Sequence, residues 1–314
     1  MKILVVCREI PSHKELFGYA YAQFVHEQVI ELRKLGLDVN VFLIKRGGFR
    51  GYFGYVKEIK DAVKENSIDI VHVHGGHIGA FVVLQRLAPT IVTYHGSDIN
   101  VFTNRVLSHV SILFSKLNIF VSNKILSKTV ALHSVLLPCG VDTKVFVPIK
   151  KEIARKQLNF KQDKKIILFA GNRDRVVKNY SLAQKATDLV DDEIQLIELK
   201  GYSRDQVNIL LNACDLLLLT SFSEGSPQII KEAMACNCPI VSTNVGDVKE
   251  IITNIPGCYI CSYNPTDVAK KINEALHLKK RTIGREKIIR SGLDLENIAK
   301  KLLSYYRKIL EEKI

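Results

Sequence analysis

No stretch of the chain approaches the roughly 18 uninterrupted apolar residues that a membrane-spanning helix needs, and "MKILVVCREIP" is too short and too soon charged for a signal peptide. A soluble, cytoplasmic protein is expected. A disulfide framework is missing as well: seven cysteines in 314 residues, an odd count, read as reduced thiols. No internal repeat or low-complexity tract interrupts the sequence. Acids are absent from residues 99–141, where Arg105, Lys116, Lys124 and Lys128 lie with His109 and His133. The formal net charge is +13, of which +9 falls within residues 1–156. Such a balance bears on partners such as nucleic acid, anionic lipid or phosphorylated substrates, and does not choose a fold. No nucleic-acid motif or basic stripe interleaved with aromatics accompanies it, so nucleic acid is not an expected partner.

What is present is an alternation. With 47% hydrophobic residues the chain can bury two ordinary cores, and its length suggests two domains of about 150 residues each. Short β-branched runs at 2–7, 38–44, 68–74, 90–95, 117–122 and 134–138 are separated by helical patterns. Apolar strands divided by helices predict parallel strands buried on both faces. "PCGVDTKVFVPIKKE" (138–152) breaks the pattern, and a second series follows at 164–172, 193–199, 215–221, 239–243 and 258–261, closing with three helices from 265 onward. The expected fold class is α/β, with two Rossmann-like domains, residues 1–145 and 146–314, facing a cleft, and the last helix free to return to the first domain.

In open parallel sheets ligands bind beyond the carboxyl ends of the strands, which directs attention to the loops there. "SEGSPQIIKEAMA" (223–235) follows one such strand. Ser226 reads as a helix N-cap with Pro227 in the first helical position, and Gly225 lets the backbone approach a ligand closely. Glu232 falls about two turns into the helix from Glu224, so two carboxylates could share one ligand along its length. A diphosphate at the helix start and a polyol along it would use all of these. On spacing alone, a solvated loop acid at Glu224 and a surface helix acid at Glu232 are as good a reading as ligand binding. Hydrolases place two carboxylates on opposite sides of the scissile bond, which one strand-loop-helix unit cannot do, so the pair points to transfer.

Two patterns suggest a metal and do not hold. His72, His74 and His77 follow one strand without a convincing set of Asp, Glu or Cys at ligand spacing. Cys236, Cys238, Cys258 and Cys261 imitate a zinc pattern, but "CYIC" is strand-like, so Cys258 and Cys261 should face opposite ways as buried thiols. No cofactor and no metal are expected.

The stretch at 223–235 resembles the E-x7-E motif of retaining, nucleotide-sugar-dependent glycosyltransferases of family four, which have the GT-B fold. "PCGVDTKVFVP" is similar to that family's inter-domain segment, with Cys139 where Asn is usual. "GNRDRVVKN" resembles its Arg-x4-Lys phosphate element, "IDIVHVHG" and "TYHGSDI" its first-domain loops, and "PIVSTNVGDVKEII" the segment after the motif. The resemblance implies that Glu224 binds the donor sugar and Glu232 the ribose, while Arg173 and Lys178 neutralise the diphosphate in place of a metal. It adds Gly225, Ser226, Pro227, Gly201 and Gly18 to the donor side, places His95 in the catalytic set and sets Asp98 on the acceptor side.

The resulting expectation is a retaining hexosyltransferase that uses a nucleoside diphosphate sugar and a glycan or lipid-linked acceptor in surface polysaccharide or glycolipid synthesis. The alternative is an inactive sugar-nucleotide-binding regulatory or scaffold protein of the same fold. For residues 99–141 two readings stay open. The segment "NRVLSHVSILFSKLNIF" could lie on an anionic membrane at the inner face. Alternatively, Val106, Ile112 and Leu113 pack it onto the sheet and its cations are solvated.

Overall fold

The computed structural model describes residues 1–278 and 280–312. They form two units, Met1–Gly140 with Leu295–Ile314, and Val141–Asp294. The division falls at Gly140, five residues before the expected boundary at 145. The reason is packing. Val141 and Phe146 are fully buried in the second unit's core, and the Val141 amide donates to the Leu293 carbonyl (2.9 Å).

The first unit carries six strands, β1 (Lys2–Arg8), β2 (Asp38–Ile44), β3 (Ile70–His74), β4 (Thr90–Tyr94), β5 (Leu117–Phe120) and β6 (Ser134–Leu136), in the order β2-β1-β3-β4-β5-β6. The second carries β7 (Lys165–Phe169), β8 (Ile194–Glu198), β9 (Leu216–Leu219), β10 (Ile240–Thr243) and β11 (Cys258–Cys261), in the order β11-β10-β9-β7-β8. Every pairing between neighbouring strands in both sheets is parallel. Each sheet has helices on both faces, which explains why its strands read as continuous apolar runs. In β1, Leu4 and Val6 join one core while Ile3, Val5 and Cys7 join the core on the opposite face. In β9, Leu217 and Leu219 face one way and Leu216 and Leu218 the other.

The Leu295–Glu311 helix belongs to the first unit. It buries Ile298, Leu302, Tyr306 and Ile309, a three-to-four-residue spacing that makes one stripe, against Ile3, Val5 and Ile70 of the sheet. Cys258 and Cys261 sit in cores on opposite faces of the second sheet, as alternation along a strand requires.

Both strand orders contain a reversal. In the second sheet β8 lies on one side of β7 and β9 on the other, so the loops that leave β7 and β9 diverge there. A crevice at such a switch point is where this class of sheet binds ligands.

Candidate active site

The loop after β7 is built around Lys178. A Cβ at Gly171 would come within 2.8 Å of the Lys178 side chain, so the glycine gives the aliphatic stem its path. The stem leads the Lys178 ammonium to Glu224 Oε1 at 2.7 Å, and the Ser221 hydroxyl donates to the same oxygen at 2.8 Å. Bonds to backbone carbonyls tie the two loops together: the Thr220 hydroxyl donates to the Lys178 and Asn179 carbonyls, and the Phe222 amide to the Val177 carbonyl. The ion pair therefore spans the switch point between β7 and β9. Arg173 stands on the same loop with 63% of its side chain exposed, near Glu198 at 3.6 Å. It can reach an anion in solvent. Gly201 follows β8 in a left-handed turn and is exposed.

Glu232 is not a surface acid. It is 4% exposed, lies on the Gln228–Ala235 helix and pairs with Arg204. The Arg204 guanidinium also lies over the Phe146 ring, 4.4 Å from its centroid. Arg204 was missed by the motif reading. Its signal was local: Ser203 and Gln206 form a capping box, which places Arg204 at the start of the helix after β8.

The helix start differs from the expectation. Pro227 is the cap, in extended conformation, and the helix begins at Gln228. Ser226 does not cap it. Its hydroxyl instead donates to Asp247 Oδ2 (2.6 Å) and accepts from Lys231 Nζ (2.7 Å). Lys231 is fully buried and Asp247 is 4% exposed, so the hydroxyl of the residue after Gly225 links two buried charged side chains. Burial pushes the Asp247 carboxyl up, and Lys231 and the Ser226 hydroxyl pull it back. At Gly246 a Cβ would lie 2.3 Å from the Gly225 carbonyl oxygen, so the loop after β10 presses on the loop that carries Glu224.

In the first unit, His95 directly follows β4. Its Nε2 is 2.9 Å from His74 Nδ1, its ring is 4.5 Å from that of Phe24, and its Nδ1 is 3.8 Å from Cys139 Sγ. His72 continues the row, stacked on His74 at 4.6 Å and hydrogen-bonded to Tyr306 (2.6 Å) and Thr93 (2.7 Å). Burial holds His72 down to about 3 and His74 well below the ordinary imidazole value, with the neighbouring imidazoles adding to the effect. These rings are neutral near pH 7. Both nitrogens of His95 have neighbours, so it is the outer member of a row and not an isolated base.

Asp98, expected on the acceptor side, turns inward to its own backbone. It is 1% exposed, and its carboxylate accepts the amides of Gly96 (2.8 Å), His95 (3.0 Å) and Gly76 (3.2 Å). The tight turn after β4 and the start of the Gly76–Val82 helix leave amides without backbone acceptors, and Asp98 supplies one. Gly18 closes the Pro11–Phe17 helix in left-handed conformation, its amide bonded to the Lys14 carbonyl (3.1 Å). That is a helix stop.

Residues 149–277 match the family described as glycosyl transferases group 1, and residues 20–145 match glycosyltransferase family 4. The chain belongs to the group 1 glycosyltransferases of GT-B fold. This glycosyltransferase is 26% identical over 218 residues to the putative teichuronic acid biosynthesis glycosyltransferase TuaC of Bacillus subtilis, across 58% of its own length. The match spans 55% of that relative's length. It is 24% identical, over 91% of its length and 89% of the relative's, to the N,N'-diacetylbacillosaminyl-diphospho-undecaprenol alpha-1,3-N-acetylgalactosaminyltransferase of Campylobacter jejuni. Among solved structures, sucrose-phosphate synthase from Thermosynechococcus elongatus superposes with a TM-score of 0.82 at 16% identity, covering 99% of this chain and 100% of that one. Anabaena HepE in complex with UDP-glucose gives 0.76 at 16% identity, covering 98% and 100%. These two likenesses bear on the fold.

Proposed function

We propose that this glycosyltransferase moves a hexosyl unit from a nucleoside diphosphate sugar to a hydroxyl acceptor with retention of anomeric configuration, in surface polysaccharide or glycolipid synthesis. The observation that carries the reading is the Lys178–Glu224 pair across the β7/β9 switch point, with Arg173 exposed on the same loop as Lys178 and Glu232 held by Arg204 about one turn into the Gln228–Ala235 helix. Glu224 accepts hydrogen bonds from donor-sugar hydroxyls and Glu232 from the ribose. Arg173 and Lys178 take the diphosphate. As the bond from the anomeric carbon to the diphosphate oxygen breaks, negative charge grows on that oxygen, where two cations stabilise it without a metal ion. The acceptor oxygen forms the new bond on the same face, and its proton passes to the departing phosphate. The relatives' names, teichuronic acid biosynthesis in one and N,N'-diacetylbacillosaminyl-diphospho-undecaprenol in another, support a glycan or lipid-linked acceptor. The HepE complex with UDP-glucose supports a nucleoside diphosphate sugar as donor.

A thermal-shift screen of UDP, GDP and ADP sugars, followed by transfer assays and NMR of the product, tests this. A donor at a hundredfold excess over its Kd stabilises the fold by about 2.7 kcal/mol. Product of the same anomeric configuration as the donor, formed equally in EDTA, is expected. Inverted product overturns retention, and activity lost in EDTA and restored by Mg²⁺ or Mn²⁺ overturns the role of the two cations. Donor binding without transfer to any acceptor moves the protein to the regulatory alternative.

A further inference from the structure

The Phe102–Phe114 helix is turned inside out relative to an ordinary surface helix. Its buried positions are Ser108, Ser111 and Ile112, while Phe102 (69%), Val106 (54%), Val110 (37%), Leu113 (61%) and Phe114 (62%) are exposed. Residues 102, 106, 110 and 113 recur at helical spacing and form one outward stripe. The inward face has no room for bulk. A Cβ at Gly76 would lie 2.4 Å from Ser108 Oγ, and one at Gly79 would lie 3.0 Å from Ser111 Cβ, so this helix and the Gly76–Val82 helix meet through their smallest residues. The buried hydroxyls are satisfied, Ser108 donating to the Asp98 carbonyl (3.0 Å) and Ser111 to the Gly76 carbonyl (2.9 Å). Of Val106, Ile112 and Leu113, only Ile112 packs inward.

The stripe runs into a cavity of about 480 Å³ at the amino-terminal end of β4, lined by Phe114, Leu87 and Ile309 together with Arg86 and Lys116. Arg105 lies over the Phe102 ring at 5.6 Å from its centroid. Glu312 also lines the cavity and is engaged by Lys116 at 3.3 Å. Residues 99–141 contribute no acid.

We infer that this face is a docking surface for an anionic membrane, with the apolar stripe inserted shallowly and Arg86 and Arg105 set against lipid headgroups. Contiguous apolar exposure of this kind marks an interaction surface, and Arg86 and Arg105 beside it, with Glu312 already engaged by Lys116, complement anionic lipid. A second copy of the chain fits less well. An isologous contact would bring the same cations together across the twofold, and residues 99–141 hold no acid to offset them. The inference deepens the lipid-linked branch of the proposed function, and its experiment leaves the donor site untouched.

The test is flotation of the whole chain with phosphatidylcholine vesicles, with and without phosphatidylglycerol, at low and high salt. Binding is expected to the phosphatidylglycerol vesicles at low salt and to be released by high salt. V106S/L113S/F114S and, separately, R86Q/R105Q are each expected to weaken it roughly tenfold or more. Both should keep the wild-type melting temperature and donor-induced thermal shift, because none of these side chains fills a core. No binding to phosphatidylglycerol vesicles at low salt overturns the inference, as does wild-type binding by a folded V106S/L113S/F114S variant. A dimer in sedimentation that this variant breaks overturns it too, by giving the face to a second copy.

Discussion

Lys178 and Glu232 carry the functional reading at the residue scale, and they call for different probes. Lys178 is mostly covered and bonded to Glu224, so Lys178→Ala removes the cation proposed for the diphosphate without opening a core cavity. Glu232→Ala would leave the partly buried Arg204 beside an empty space, a change that typically destabilises by several kcal/mol. Glu232→Gln keeps the shape and is the cleaner substitution. Each variant is expected to lose about 2–5 kcal/mol of ligand contact, or roughly 30-fold to several thousandfold in kcat/KM for the sugar nucleotide. Wild-type kcat/KM in folded Lys178→Ala or Glu232→Gln would remove that residue from the donor site. The positions of the two glutamates, one in the loop after β9 and one on the helix that follows, were legible in the sequence, because the strand-loop-helix pattern is local. The partners of Glu232 and Ser226 were not. Arg204 comes from another strand-loop-helix unit, and Asp247 lies 21 residues beyond Ser226. The inward turn of Asp98 was hidden for a related reason: nothing in "YHGSDI" says whether a carboxylate turns toward solvent or toward its own turn's amides.

At the scale of elements, strand positions followed the apolar runs closely, because strands covered on both faces leave an unbroken signature. Ends were harder. The motif helix starts after Pro227 because Ser226 has charged partners instead of a backbone amide to cap. The loops after β9 and β10 also meet more tightly than sequence can indicate. Gly246 combines a φ of +52° with backbone of Gly225 where its Cβ would be, so Gly246→Ala has neither a relaxed conformation nor space. This substitution is expected to destabilise by about 2–4 kcal/mol and to weaken donor binding by moving Glu224's loop. Thermal melting with and without donor measures both. An unchanged melting temperature together with an unchanged donor shift would refute the contact.

Over the whole molecule, the neutral histidine row makes stability depend on pH. His72 and His74 have folded-state values below their unfolded ones, so the unfolded chain binds more protons once the pH falls under about 6.5. Stability is therefore full above that point and falls as the pH approaches 5, by on the order of 2–4 kcal/mol for the pair. Urea unfolding at pH 7.5 and pH 5 measures it, and H72Q/H74Q should flatten the difference; equal stability at both pH values would show that the row is not buried neutral. The alternation of apolar runs and helices, the two-unit α/β architecture and the order of the motifs could all be read along the chain. Each depends on periodicity or on neighbours a few residues apart. Which polar groups are structural and which are free for a ligand could not be read that way. That distinction turns on contacts such as His72 to Tyr306, 234 positions apart, and on which face of the Phe102–Phe114 helix the glycines of its neighbour leave room to bury. Periodicity marks a stripe on a helix, but packing between distant segments chooses the side that meets solvent.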